Sequence, residues 1–170
     1  SKYETLCDVG GATGQLSCMV AAANPHMRCS SFDLPQVLPI ATRKINEAGL
    51  SDRVTPVGGD FFVDAFPEAD VITMGMILHD WNLEKKKMLI CKAYEGLPQG
   101  GAFVVIEALI DDARRENAFG LLMSLNMLIE FGDAFDYSGS DFESWCREVG
   151  FRKFEIIPLT GPSSAAVAYK

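Results

Sequence analysis

Residues 6–14, Leu-Cys-Asp-Val-Gly-Gly-Ala-Thr-Gly, decide how this 170-residue chain is to be read. A short apolar run at 6–9 meets a turn of small residues, and helix-compatible residues follow from 15 to 23, where Asn24-Pro25 stops them. Strand, tight turn and helix in that order open an α/β unit. Small residues at such a turn let a ligand approach the backbone closely. The dinucleotide fingerprint GxGxxG does not fit, because Ala12 and Gln15 stand where its second and third glycines would. The phosphate loop GxxxxGK(S/T) is absent too. What remains is a DxGxAxG turn, in which Asp8 can influence a ligand amine while Gly10 and Gly14 accommodate its chain.

Outward from this turn the pattern repeats. A second strand at residues 29–32 ends at Asp33, and Pro35 can sit in the first turn of a helix running to Ala48, closed by Gly49. Residues 54–57, 71–74 and 103–106 read as further strands, with a helix at about 83–97 between the last two. This alternation implies a mostly parallel sheet covered on both faces. Residues 114–131 form a long helix candidate that is apolar nearly all round, which must be buried against its own sheet, a bound substrate or a second chain. Ser140 with Glu143 has the spacing of a capping box for a helix ending at Val149, before Gly150. Residues 154–159 and 165–169 are two final strands, too closely joined to be a parallel pair. The expected fold is doubly wound α/β, seven strands with the last antiparallel.

Composition narrows the partners. The chain is 48% hydrophobic and 22% charged, enough for one substantial core. Its net charge of −8 argues against nucleic acid. Five cysteines without a CxxC pair argue against a disulfide framework or a metal site, and point to a reducing compartment, so that cytoplasm is expected. No long apolar span indicates a membrane.

Further chemistry-bearing residues fall at successive strand ends. Asp33 lies where a carboxylate can accept from both hydroxyls of a ribose, and Leu34 follows it. Gly59-Asp60-Phe61-Phe62 puts an acid beside an aromatic after the third strand, suited to an adenine amine and its ring. Taken alone, each is better read as a tight turn, or as a surface acid beside a core aromatic. Three at consecutive strand ends point to a ligand. After the fourth strand comes Leu78-His79-Asp80-Trp81. A lone histidine there would be an ordinary loop residue.

The order DVGGATG, FDLP, GDFF and LHDW resembles the S-adenosylmethionine-dependent O-methyltransferases typified by plant caffeate and flavonoid enzymes and by acetylserotonin O-methyltransferase. The resemblance runs nearly the whole chain and implies the Rossmann-like class I methyltransferase fold, with methylation of a small, aromatic, hydroxylated acceptor. It also implies roles: Gly10 against the methionine part of the cofactor, Asp33 on the ribose, Asp60 and Phe61 on the adenine, Trp81 in the motif, and His79 as general base. Chemically, a hydroxyl is a poor nucleophile toward a sulfonium and its oxyanion a good one, and an imidazole can take the proton as attack develops. Glu107 matches the first carboxylate that orients the base. The second begins a Glu-Arg-Thr stretch in the family, where this chain offers Asp136-Tyr137-Ser138, one methylene shorter, with Asp133 and Asp141 as surface alternatives. Gly75 stands where plant members carry a lysine. Met123, Asn126 and Met127 correspond to a substrate-facing segment, for which core packing is an equal account. Lys85-Lys86-Lys87 is expected to be a solvated helix face.

Members of this family are about twice as long, with an N-terminal helical domain that dimerises, so residues 1–170 are expected to be the catalytic domain of a homodimeric protein. Rival readings are transfer to nitrogen or carbon, a cofactor-binding regulator without turnover, and an NAD-linked oxidoreductase, the last opposed by the failed fingerprint.

Overall fold

A computed structural model describes residues 2–170. Strand β1 (Thr5–Val9) leads through the glycine turn into α1 (Gln15–Ala23), followed by β2 (Arg28–Asp33), α2 (Leu38–Glu47), β3 (Val54–Gly58) and β4 (Val71–Gly75). A single 3-10 turn, Leu78–Asp80, precedes α3 (Leu83–Gly96) and β5 (Ala102–Glu107). Then come α4 (Ala118–Phe131), α5 (Gly139–Val149), β6 (Lys153–Pro158) and β7 (Ser164–Tyr169).

The seven strands lie in the order β3-β2-β1-β4-β5-β7-β6, and β7 alone runs antiparallel to both its neighbours. The expected doubly wound sheet with its last strand antiparallel is therefore the fold observed. Order reverses between β1 and β4, the crevice where such sheets bind ligands at the carboxyl ends of their strands. Register brings the candidate residues to that rim: Val9 pairs with Phe32, Asp33 with Gly58, and Gly75 with Ile106. One core cluster, with Ile72, Leu89 and Phe103, packs α3 and α5 on one face. A second, with Ala21 and Ile45, packs α1 and α2 on the other. Cys7, Cys29 and Cys146 are buried within these layers as small hydrophobes, and all five thiols are free.

Local chemistry shifted several boundaries. Helix α2 begins at Leu38 rather than near Pro35, because Pro39, which lacks an N–H, fits only the first turn. Helix α4 begins at Ala118 rather than Arg114: the Asp111 carboxylate gathers the amides of Arg115, Glu116 and Asn117, and Asn117 then caps by accepting from Gly120 N at 3.1 Å. The capping box of α5 is Ser138 with Asp141, not Ser140 with Glu143. Ser138 has the extended backbone that a cap needs, and its side chain accepts from Asp141 N while the Asp141 carboxylate accepts from Ser138 N. Glu143 is instead bound by Arg147 at 2.7 Å.

Candidate active site

The β1 turn needs its glycines. Gly10 and Gly14 have φ of 74° and 75°, and a Cβ on Gly10 would stand 2.3 Å from Ile77 Cδ1. Asp33 stabilises the same turn by accepting from Ala12 N at 2.8 Å and Leu34 N at 2.7 Å, so one carboxylate ties the first two strand ends together. Asp33 is half-buried at the rim and Leu34 is exposed beside it. After β3, Asp60 accepts from Phe62 N, and Phe61 and Phe62 pack edge-on against Trp81 at 6.0 and 4.6 Å between ring centres. An aromatic wall thus follows the acidic rim. Trp81 Nε1 is buried without a hydrogen-bond partner among the described residues.

Asp8 is buried beneath the turn and accepts from Thr73 Oγ1 at 2.7 Å, so it lies under the rim and not on it. Burial pushes its carboxyl up from 3.8 to about 6, against the stabilising bond from Thr73 and with the nearby Asp33 charge. A raised carboxylate stabilises the fold only while protonated, so this contribution is full below about pH 3.8 and lost as pH rises to about 6. Asp8→Asn keeps an acceptor for Thr73 without the buried charge. It is expected to stabilise the chain by roughly 1–2 kcal/mol at pH 7.5 and raise the melting temperature by about 3–6 °C, with the gain fading towards pH 4. Melting curves across pH check this; an unchanged melting temperature at pH 7.5 would exclude a buried ionised Asp8.

The chemical centre forms where β4 and β5 end side by side. His79, in the 3-10 turn after β4, is 4% exposed. Its Nδ1 lies 3.4 Å from Asp136 Oδ1 and 3.6 Å from Glu107 Oε2. Glu107 is held by its other oxygen, which accepts from Ile77 N and Leu78 N at 3.3 and 3.0 Å. Asp136 comes from the segment between α4 and α5, pinned where its own N–H donates to Ser124 Oγ at 3.1 Å. Asp133 instead accepts from Asn82 Nδ2 and Asp141 caps α5, so neither surface alternative takes the Asp136 position. Opposite the two carboxylates, His79 Nε2 is 3.1 Å from Asp80 Oδ1. Glu107 Oε2 and Asp136 Oδ2, and the Tyr137 hydroxyl next to Asp136 in the chain, are buried without an assigned hydrogen-bond partner among the described residues.

Burial opposes charge on His79, but the hydrogen bonds to Asp136 and Asp80 and the Glu107 charge outweigh it and raise the imidazole from 6.5 to about 10. Burial raises Glu107 to about 7, opposed by the His79 charge and reinforced by Asp136. In the free site at neutral pH the ring therefore holds its proton. The same three side chains offer atoms within 4.8 Å of one another, a spacing that could also hold a metal ion.

Of the substrate-segment residues, Met127 is buried and Met123 half-buried, whereas Asn126 is exposed and donates to Glu130 on the outer side of α4. The structure does not bring Asn126 to the site. Gly120, Ser124, Met127 and Phe131 share the inward face of the helix, and Phe131 meets Trp81 at 6.4 Å. Leu122, Leu125 and Ile129 face outward and are exposed, so this face of the apolar helix is not covered by the described residues. Sequence reading also missed Ser124, Asp80 over Nε2, and the burial of Lys86, which is fully enclosed, while Lys85 and Lys87 lie at the surface. The spacing of Ser124 from Gly120 and Met127 was the one available sign.

A glycine turn at the sheet's switch point, two acidic strand ends with an aromatic wall, and a buried histidine among carboxylates thus meet at one rim of a doubly wound α/β sheet. Residues 1–152 match the O-methyltransferase domain, and the chain belongs to that family. It is 36% identical over its full length to half of the tetracenomycin polyketide synthesis 8-O-methyl transferase TcmO of Streptomyces glaucescens, 50% of that protein being covered. Over 89% of its length it is 38% identical to the N,N-dimethyltransferase OxyT of Streptomyces rimosus, covering 44% of it. Human N-acetylserotonin methyltransferase, solved in complex with SAM, superposes with a TM-score of 0.90 at 30% identity, over 99% of this chain and 48% of that one. The chain spans about half the length of the curated relatives it matches. Among the described residues no helix is long and apolar enough to cross a membrane.

Proposed function

We propose that the chain is the catalytic domain of an S-adenosylmethionine-dependent O-methyltransferase for a small aromatic hydroxyl compound, working in a longer, homodimeric, cytoplasmic protein. The observation that carries this is the placement of His79 with its Nδ1 against both Glu107 and Asp136, beyond the end of the strand next to the glycine turn.

The rim fits the cofactor. Gly10 and Gly14 hold the left-handed backbone of the turn, with Gly10 placed where a Cβ would strike Ile77, Asp33 presents a carboxylate at the next strand end, and Asp60, Phe61 and Trp81 offer an acid and an aromatic wall beyond it. We assign Asp33, with Leu34 beside it, to the ribose, Asp60 and Phe61 to the adenine, and the Gly10 side to the amino-acid part. Asp8, buried below, acts on that part through the turn it supports. S-adenosylmethionine supplies an electrophilic methyl group and a positive charge.

His79 takes the acceptor's proton on Nε2, for which the Asp80 carboxylate must swing aside. Glu107 and Asp136, facing Nδ1, fix the tautomer and stabilise the imidazolium that results. Because these carboxylates hold a proton on the free ring, His79 must first lose it, and a cation bound nearby favours that loss. Met123 and Met127 are adaptable walls for a flat acceptor. We assign the cluster to proton transfer and not to a metal.

Nitrogen as the acceptor atom is the second reading, favoured by the 38% identity to an N,N-dimethyltransferase. The deciding experiment supplies the full-length protein with labelled S-adenosylmethionine and matched panels of phenols and aryl amines, with and without a chelator. Label on phenolic oxygen, unaffected by the chelator, is expected. Label on nitrogen alone would replace the acceptor, and chelator sensitivity would overturn the metal-free assignment.

A further inference from the structure

Lys86 is charged, completely enclosed, and unexplained by the packing of α3 alone. Its Nζ donates to the carbonyl of Trp81. The same ammonium lies 4.0 Å from the ring centre of Phe135 and 5.7 Å from that of Tyr137, the two residues flanking Asp136. It therefore spans the two segments that carry His79 and Asp136. Glu107 holds the start of the His79 turn through Ile77 N and Leu78 N, and Lys86 holds its end through Trp81.

We propose that Lys86 is a positioning residue of the methyl-transfer site, clamping the His79 turn onto the Asp136 segment and setting a positive charge against the carboxylates that face His79. This rests on the reading of His79 as the base. The charges of Glu107 from β5, Asp136 and Asp133 from the segment after α4, and Asp80 from the 3-10 turn act on the ammonium and raise its proton affinity. Around His79 stand Asp80, Glu107 and Asp136. Without Lys86 this cluster would hold several carboxylates against one imidazolium. Burial lowers Lys86 to about 8 while the carboxylates pull it back up, so it is an ammonium at neutral pH. Aromatic faces suit such a desolvated cation.

A cation beside Glu107 lowers its affinity for a proton, and beside His79 it favours the neutral ring. Removing it must move both midpoints up. The test needs no substrate. Carboxyl carbon and imidazole signals are followed by NMR titration in the wild-type chain, in Lys86→Met and in Lys86→Arg, with Glu107→Gln used for assignment. Met matches the lysine stem in volume and removes the charge, so the variant is expected to fold. Glu107, about 7 in the wild type, is expected to move up by about one pH unit in Lys86→Met, a tenfold change in its ionisation, with recovery in Lys86→Arg. A folded Lys86→Met chain with Glu107 unmoved would overturn the proposal. The wild type supplies an independent check: Lys86 must titrate near 8, and the His79 ring signals must carry an inflection at that midpoint. A Lys86 already neutral at pH 7, or no such inflection, overturns the proposal whether or not the variant folds. If the acceptor panel fails while these couplings hold, it is the reaction that has been misread and not the linkage.

Discussion

Replacing His79 by Ala or Gln is expected to lower methyl transfer to a phenolic acceptor by about 10²- to 10⁴-fold in kcat, with S-adenosylhomocysteine affinity changed by no more than about threefold. The ring is buried among Asp80, Glu107 and Asp136, and Gly10, Asp33 and Asp60, the residues proposed to hold the cofactor's three parts, lie on other strand ends, which is why the two effects separate. The pH dependence carries the sign of the shift. His79 is raised to about 10 in the free site, so its proton is bound at neutral pH and the rate must climb as pH rises from 7 towards that value. In His79→Gln the climb must disappear. The raised histidine also stabilises the fold, fully below its unfolded value of about 6.5 and decreasingly as pH rises to about 10, so an alkaline optimum for the rate coincides with declining stability. Activity–pH profiles alongside melting curves measure both. A His79→Ala enzyme retaining a tenth or more of the wild-type rate would remove the general-base assignment and favour transfer to an acceptor that needs no deprotonation.

Asp33→Ala is expected to weaken S-adenosylhomocysteine binding by about 10²-fold or more, since each hydrogen bond to a charged group contributes roughly 1.5–3 kcal/mol and a ribose offers two hydroxyls. The substitution acts twice. It removes the acceptor, and it frees Ala12 N and Leu34 N, which Asp33 now satisfies at 2.8 and 2.7 Å. Asp33→Asn retains a carbonyl oxygen for one of these amides, so a smaller loss in Asn than in Ala apportions the effect between turn and ligand. Calorimetric titration of this chain reads all three proteins. An unchanged Kd in Asp33→Ala would place the ribose elsewhere and dissolve the cofactor assignment at this rim.

The local pattern carried most of the architecture. Gly10 and Gly14 require left-handed backbone at a strand-to-helix turn, and such a turn followed by alternating apolar runs has few solutions other than a parallel sheet. His79, Glu107, Asp33 and Asp60 stand at strand ends, so their common rim was legible once the strands were. Boundaries were less legible where side chains compete for backbone amides. Asp111 delays α4, and Ser138, two residues before the expected cap, wins α5 because Asp141 can answer it.

What the sequence by itself determined is the periodic part: strands, turns, and the residues that terminate each strand. Neighbours in one strand or helix have spacings fixed by the backbone, so periodicity reveals them. Only the tertiary structure decided that Lys86, in a run of three lysines, is buried, that Asp80 covers His79 Nε2, that Ser124 fixes Asp136, and that Asn126 turns away. Each of these depends on which segment, distant along the chain, is packed against a given face. No one-dimensional pattern distinguishes a solvated lysine from one enclosed between aromatic rings and carboxylates, because desolvation and pairing are properties of the space around a charge.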